Sequence, residues 1–148
     1  MQRKIVPDIV QGQSLTSVTI DDTAFSAAKK MADAHVAAVV VVDGNGDLIG
    51  IVTERDMTQR VLAAGLDGKS TKISDIMTAN PDTLAPDDSA GDALELMRTR
   101  KYRHLPVVDG SKCVAMVSIR DLYAAVHDAL EADMRETEAF VFGDRYGA

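Results

Sequence analysis

The sequence predicts an α/β (α+β) protein built from two β-α-β-β-α units, packed as a pseudo-twofold pair and followed by a C-terminal helix. The first reason is an internal duplication, in which residues 17–24 align with 83–90 and residues 50–56 align with 115–121. The second is that both copies alternate helix-forming and strand-forming stretches in the same order. An offset of 66, falling to 65 after one deletion, indicates a duplicated domain-sized unit rather than a short solenoid repeat.

Local patterns justify the elements of both copies in order. Asp and Thr residues before position 24 favour a helix N-cap, and the apolar face of that helix is expected to hold Phe25, Ala28, Met31 and Ala32. In the first copy we expect a helix over 24–34, strands over 36–42 and 48–52 joined by a turn at 44–46, and a helix over 53–64 ended by Gly65. In the second we expect a helix over 90–100, strands over 105–108 and 114–117, and a helix from 119.

The predicted boundaries place the first unit at 5–65, a polar linker at 66–72, the second unit at 73–127 and a helical extension at 128–142. A unit of about 60 residues is marginally stable alone, so the two are expected to pack against each other. Gly143 is expected to end the last helix, whose apolar stripe has little left to pack against, so we expect a homodimer. The stripe contains Leu122, Val126, Leu130, Met134, Thr137 and Val141.

Composition narrows the function classes. The chain has 148 residues, 46% of them hydrophobic, and a formal net charge of −7. The apolar fraction excludes disorder, the acidic balance argues against nucleic-acid binding, and the apolar runs are too short to cross a membrane. A single cysteine permits no internal disulfide, so we expect a cytoplasmic protein.

A short motif is repeated where a strand passes into a helix: Thr53-Glu-Arg-Asp56 reappears as Ser118-Ile-Arg-Asp121. One interpretation is a capping box, in which the hydroxyl and the carboxylate satisfy free amides at the helix start. The other is a nucleotide contact, with the hydroxyl and Arg55 or Arg120 reaching phosphate and the aspartate accepting hydrogen bonds from ribose. The two interpretations are compatible, and an arginine inside both motifs favours the second.

These motifs resemble a tandem pair of cystathionine-β-synthase (CBS) domains, and the resemblance covers roughly residues 5–127. The residues that carry it are the duplication, Asp75-Ile-Met-Thr78, Tyr102-Arg-His-Leu-Pro-Val-Val108, Gly50-Ile-Val-Thr-Glu-Arg-Asp56 and Val117-Ser-Ile-Arg-Asp121. The resemblance implies two clefts between the units that bind adenosyl ligands: AMP, ADP, ATP, NAD(H) or S-adenosylmethionine. It also implies dimers shaped like a flat disc.

By that resemblance, phosphate and ribose are contacted by Thr53, Asp56, Ser118 and Asp121. The base is held by the segments before them, at Thr19, Ile20, Ala37, Ala38 and Val39 and at the equivalent positions of the second copy, with Arg103, His104, Leu105 and Pro106 as further ligand-binding residues.

The two copies differ at positions that matter for a ligand. Ala37-Ala38 stands where the second copy has Arg103-His104, Ile20 stands opposite Pro86, and Ala115 stands opposite Gly50. We therefore expect the two sites to differ in affinity or ligand. The site around Asp56 is favoured, because in the family the Arg-His pair of one unit often reaches the ligand of the other.

Other candidate residues point to no metal and no catalysis. No histidine has a partner at a metal-ligand spacing, and His35 and His127 are expected at the surface. Cys113 is expected to be an inert thiol. A cluster of basic residues has two interpretations: a solvated helix end, or a positively charged surface that binds a polyphosphate or dinucleotide. It consists of Arg98, Arg100, Lys101 and Arg103.

The resulting expectation is a regulatory module without catalytic activity and without a tightly required cofactor. It would bind an adenine nucleotide between the repeats and signal by conformational change to an unidentified partner protein. The alternative is a structural or oligomerisation module whose sites are vestigial or suited to S-adenosylmethionine.

Overall fold

Two β-hairpins, each continued by a helix, form the framework of the chain in a computed structural model that describes residues 3–146. In the first repeat, β2 (Ala38–Val42) pairs antiparallel with β3 (Leu48–Thr53). In the second, β5 (His104–Asp109) pairs antiparallel with β6 (Lys112–Ser118). Of residues 142–146, only the backbone is described. The predicted fold class, two α/β repeats with a C-terminal helix, is confirmed.

The first repeat has the larger sheet. β1 (Ser17–Val18) runs parallel to β2, and β4 (Thr78–Ala79) runs antiparallel to β3, which gives the order β1-β2-β3-β4. In the second repeat, the strand equivalent to β1 is reduced to a single bridge between Leu84 and Val107. The helices are α1 (Ala24–Ala34), α2 (Glu54–Asp56, continued by a π-helical turn over Met57–Leu62), α3 (Ile73–Ile76), α4 (Ala90–Arg100) and α5 (Ile119–Tyr146).

Each hydrophobic core contains a segment from the other repeat. Ile5, in the leading segment (residues 3–16), is fully buried among second-repeat residues such as Leu105 and Leu122. Conversely, Ile73 and Ile76, in the crossover segment (residues 73–80), are buried in the core of the first repeat. Neither core is therefore completed by its own repeat, and the two must fold together.

The face of α1 that packs against the sheet differs from the predicted one. Its buried residues are Ala24, Ala27 and Met31, whereas Phe25 is 50% exposed. The Lys69 ammonium lies 5.0 Å from the centre of the Phe25 ring, a cation–π arrangement that the surface permits. Small alanines at the contact let the helix approach the sheet closely, and the bulky ring is left outside.

Pairing at the sheet edge explains why the two repeats differ at Gly50 and Ala115. A Cβ on Gly50 would lie 2.7 Å from the Met77 Sδ, because the crossover segment lies against β3 at this point. Within the described residues, β6 carries no strand on its outer edge. The Met116 N–H instead donates to the Gln13 side-chain oxygen at 2.7 Å, and the Ala115 methyl group is buried in the second core.

The last helix extends beyond the two cores. Leu122 is fully buried, but Leu130 and Met134 are 57% and 63% exposed. The expectation that Gly143 ends the helix is wrong, because α5 continues to Tyr146. A glycine in a helix costs only about 1 kcal/mol relative to alanine, which a helix of this length tolerates. None of the described helices combines the length and apolar composition that crossing a bilayer requires.

Replacing Ile5 by alanine is expected to destabilise the second repeat, although Ile5 belongs to the first repeat in the chain. Truncating a buried isoleucine to alanine typically costs about 2–5 kcal/mol. Amide hydrogen exchange should therefore accelerate more in β5 and β6 than in β2 and β3, and urea unfolding should show the loss of stability. Leu62→Ala, at a side chain that is 76% exposed, is the control and should leave both measurements unchanged. Acceleration confined to the first repeat would contradict the reciprocal packing.

Candidate functional site

A cavity of about 440 Å³, cavity 1, opens between the repeats at the β3–α2 junction. One wall comes from the first repeat, between Thr53 and Arg60, and the opposite wall from residues 100–105 of the second. Ile51 and Leu105 add apolar surface. Of the predicted site residues, cavity 1 brings together Ala37, Thr53, Arg55, Asp56, Arg103, His104 and Leu105.

A smaller cavity of about 310 Å³, cavity 2, lies at the equivalent β6–α5 junction. Its opposite wall comes from residues 35–38 of the first repeat, and its rim from residues 13–16 of the leading segment. It brings together the predicted residues Ala37, Ala38, His104, Ser118, Arg120 and Asp121.

Four predicted residues line neither cavity. Val39 and Pro106 are buried strand residues, and Val39 is part of the first core. Thr19 and Ile20 are exposed in the loop before α1, where the Thr19 N–H donates to the Asp22 carboxylate at 2.8 Å. Their expected contact with a base stays a prediction.

Both strand-to-helix junctions form the predicted capping boxes. The Thr53 N–H donates to the Asp56 carboxylate at 2.9 Å, and the Asp56 N–H donates to the Thr53 hydroxyl at 3.3 Å. The Ser118 N–H donates to the Asp121 carboxylate at 2.9 Å, and the Asp121 N–H donates to the Ser118 hydroxyl at 3.1 Å. The capping interpretation is therefore confirmed. In each box one carboxylate oxygen, Oδ2, is used inside the protein.

Cavity 1 carries more positive charge than its counterpart. Five cationic and three carboxylate side chains line it. Two of the cations have acidic partners, since the Arg60 Nε lies 3.6 Å from the Asp56 carboxylate and the Arg100 Nε lies 3.9 Å from the Asp82 carboxylate. Among the described side chains, the other three cations have no carboxylate within 4.0 Å. These are Arg55, Lys101 and Arg103.

Cavity 2 has a different charge inventory at equivalent positions. Its wall holds one arginine, Arg120, and one carboxylate, Asp121. His35 occupies the position that Lys101 occupies in cavity 1, and both adopt left-handed backbone conformations, with φ of 55° and 61°. The expectation of a surface position for His35 holds, since the residue is exposed, but it also lines cavity 2.

His104 lines both cavities. Burial lowers the pKa of its imidazole from the ordinary value of 6.5, and the nearby Arg103 lowers it further. The carboxylates of Asp121 and Glu54 oppose this shift without reversing it. The imidazole is therefore mainly neutral at pH 7, with one acidic neighbour from each cavity.

Sequence reasoning missed several residues that line the cavities. Arg60 lies one turn beyond Asp56, and that spacing could have indicated it. Asp82 and Tyr102 enter cavity 1 through tertiary packing, and burial raises the pKa of the Tyr102 hydroxyl with a further contribution from Asp82. Gln13 enters cavity 2 from the leading segment. Tyr102 opens the 102–108 motif and directly precedes the predicted Arg103, whereas no local pattern marks Asp82 or Gln13.

The remaining candidates lie outside the two cavities. His127 is paired with Glu131, with 3.4 Å between the Nε2 and the carboxylate. Burial raises the pKa of the Cys113 thiol, which keeps it protonated at neutral pH. Within the described residues there is no group of three His, Cys, Asp or Glu side chains arranged to hold a metal ion.

Known proteins share both the sequence pattern and the fold. The plant protein CBSX3 from Arabidopsis thaliana, described as mitochondrial, is 36% identical over 129 residues, which cover 84% of this chain and 63% of that protein. The chain spans only about a fifth of the length of five further Arabidopsis relatives.

Two solved structures extend the comparison. A protein with CBS domains from Burkholderia ambifaria MC40-6 is 35% identical, with a TM-score of 0.79 over 84% of this chain and 93% of that one. The CBS domain protein PAE2072 from Pyrobaculum aerophilum, solved in complex with AMP, is 25% identical, with a TM-score of 0.72 over 80% of this chain and 89% of that one.

The family model of the CBS domain matches the chain twice, at residues 3–63 and 73–128. These two matches span both hairpins, both junctions and the two segments that cross between the cores. The chain therefore belongs to the family of CBS-domain proteins.

Proposed function

We propose that this chain is a regulatory module that binds an adenine nucleotide in cavity 1 and signals the occupied state to a partner protein. The observation that carries the proposal is a set of three cations, Arg55, Lys101 and Arg103, which face one cavity between the repeats and have no carboxylate within 4.0 Å among the described side chains. Uncompensated cations in a partly enclosed cavity attract an anion, and guanidinium groups match phosphate geometry.

The walls of cavity 1 suit the other parts of a nucleotide. The Asp56 side chain is 13% exposed, and its Oδ1, which lies 3.6 Å from the Arg60 Nε, accepts no backbone N–H, so ribose hydroxyls can still donate to it. Ala37, Ile51 and Leu105 offer apolar surface on which a base can lie. We assign Asp56 to the ribose and the three cations to the phosphates.

The charge of cavity 1 also ranks the candidate ligands. AMP is supported by the complex of PAE2072, and ADP, ATP and NAD(H) bring further phosphate charge to the same cations. S-adenosylmethionine carries a sulfonium cation, which these side chains would repel. We therefore propose a phosphorylated adenosine ligand.

Cavity 2 is proposed as a weaker or differently occupied site. Its single arginine, Arg120, is balanced by Asp121 on the same wall, and Ala37 stands where cavity 1 has Arg103. The contribution of Ser118 and Asp121 to a ligand is likewise a proposal, because both already cap α5.

The signalling step follows from the reciprocal packing. A ligand held by both repeats favours the arrangement in which both walls contact it, and it shifts the population by its differential affinity for that arrangement. We propose a regulatory role rather than catalysis, with the output passed to a separate protein. We also propose a cytoplasmic location, because the single Cys113 leaves no internal disulfide to form.

Assembly through α5 is a second candidate function, favoured by one observation. The exposed stripe of Leu130, Met134 and Val141 continues from the buried Leu122 along one helix. Covering exposed apolar side chains is favourable, so a partner surface would stabilise this part of the helix. We propose that a second copy covers the stripe in a homodimer.

Arg103→Gln is expected to weaken AMP binding about 10-fold, because hydrogen bonds to charged groups contribute about 1.5–3 kcal/mol. Isothermal titration calorimetry on protein freed of carried-over ligand measures the change. Arg98→Gln is the matched control, since Arg98 is 75% exposed, pairs with Glu95 and lies outside both cavities. No AMP, ADP, ATP or NAD(H) binding at millimolar concentration would refute the proposed function, and equal losses in both variants would refute the site.

His104→Gln is expected to reduce the acid sensitivity of folding. Because the pKa of His104 lies below 6.5 in the folded chain, the unfolded chain takes up the proton first, and stability is lost as the pH falls below about 6.5. Urea unfolding between pH 7.5 and 5.5 should show a larger loss for the wild type than for the variant. Parallel losses would mean that His104 titrates normally.

Leu130→Glu is expected to shift the dimer toward monomer in sedimentation velocity, because a buried charge opposes association. Ala132→Glu adds the same charge to the same helix on a different face, and it should leave the dimer intact. A wild type that is monomeric at high concentration would contradict the proposed assembly.

A further inference from the structure

Arg60 connects cavity 1 to the crossover segment. Its Nη1 donates to the carbonyl oxygens of Ile76 at 3.0 Å and Met77 at 3.2 Å, while its Nε lies 3.6 Å from the Asp56 Oδ1. The same guanidinium lines cavity 1. One planar group therefore contacts a carboxylate of the cavity and two carbonyls of the crossover segment.

The crossover segment is anchored on both sides of this contact. Before it, Ile73 and Ile76 are buried in the first core, and after it, β4 pairs with β3. The Ile76 and Met77 carbonyls stand at the end of α3, where helix carbonyls lack partners within the helix. Arg60 supplies that partner, so its position affects the connection from α3 to β4.

The second repeat has no equivalent of this contact. The position that matches Arg60 at the offset of 65 is Ala125, which is buried. Asp121 consequently has no arginine one turn along its helix. The rim of cavity 2 is held differently, by the bond from the Met116 N–H to the Gln13 side chain.

We propose that Arg60 is the positioning residue of cavity 1 and couples occupancy of that cavity to the crossover segment, an inference that rests on the proposed nucleotide site. Hydrogen bonds to an ionised phosphate are stronger than those to neutral carbonyls. Arg60 lines the same cavity as the three cations assigned to the phosphates, so a phosphate held there also attracts its guanidinium and draws it away from Ile76 and Met77. The end of α3 and its junction with β4 loosen while the rest of the protein is stabilised by the ligand.

The test is amide hydrogen exchange at residues 77–80 with and without AMP, in the wild type, Arg60→Met and Arg60→Lys. In the wild type, AMP should accelerate exchange at 77–80 and slow it elsewhere in the first repeat. In Arg60→Met, exchange at 77–80 should be fast and unaffected by AMP. Arg60→Lys keeps the positive charge but loses the planar guanidinium with its several N–H donors. Its AMP affinity should stay within about threefold of the wild-type value, while the effect of AMP on exchange at 77–80 disappears.

Arg98→Met is the matched control, because Arg98 is exposed and pairs only with Glu95 on α4. It should respond to AMP as the wild type does. An AMP response at 77–80 that is the same in the wild type and in Arg60→Met would overturn the proposal, since Arg60 would then have only a structural role.

A double-mutant cycle of Asp56→Asn and Arg60→Met, measured without ligand, separates this inference from the proposed function. Asp56→Asn removes the carboxylate charge beside the Arg60 guanidinium. It should therefore change the rate of amide exchange at 77–80 when Arg60 is present, and it should have no effect in the Arg60→Met background. If AMP does not bind but the effect of Asp56→Asn still requires Arg60, the nucleotide proposal is refuted. The positioning of the crossover segment by Asp56 and Arg60 is then still supported. If Asp56→Asn has the same effect in both backgrounds, the positioning role of Arg60 is refuted whether or not AMP binds.

Discussion

Reciprocal packing of two short segments is the constraint on which the rest of this structure depends. Ile5 completes the core of the second repeat, and Ile73 and Ile76 complete the core of the first. A unit of about 60 residues buries too little surface to be securely stable alone, so each repeat gains apolar area from the other. The relative orientation of the repeats therefore depends on their cores, and that orientation sets the shape of the cavities between them.

The two cavities share one geometry and differ in chemistry. Each is formed where a capped junction of one repeat faces the end of a helix and the start of a strand in the other. At equivalent backbone positions, cavity 1 has Lys101 and Arg103, whereas cavity 2 has His35 and Ala37. The matching left-handed conformations of Lys101 and His35 indicate that the backbone was retained while the side chains diverged. Differences between the sites thus arise from a few substitutions.

Features that depend on neighbouring residues could be predicted from the sequence, and features that depend on the crossing of segments could not. Hairpins, caps and junction motifs follow from local patterns, and both capping boxes formed as expected. The apolar spacing in α1 predicts Phe25 on the packed face, whereas the structure buries the small alanines there, a preference that depends on tertiary packing. The different residues at Gly50 and Ala115 make sense only once β4 is known to lie against β3. Gln13 lines cavity 2 only because the leading segment crosses to the second repeat.

The position of His104 shows how a duplicated fold can make two sites depend on each other. The imidazole lines both cavities, and its pKa is raised by Glu54 on one side and Asp121 on the other while burial lowers it. A phosphate entering either cavity adds negative charge beside the same ring and favours its protonated form. The added proton gives the His104 imidazole a positive charge, which also faces the other cavity. Because linkage between binding events is reciprocal, nucleotide binding in both cavities, as proposed, would be coupled in both directions through this side chain.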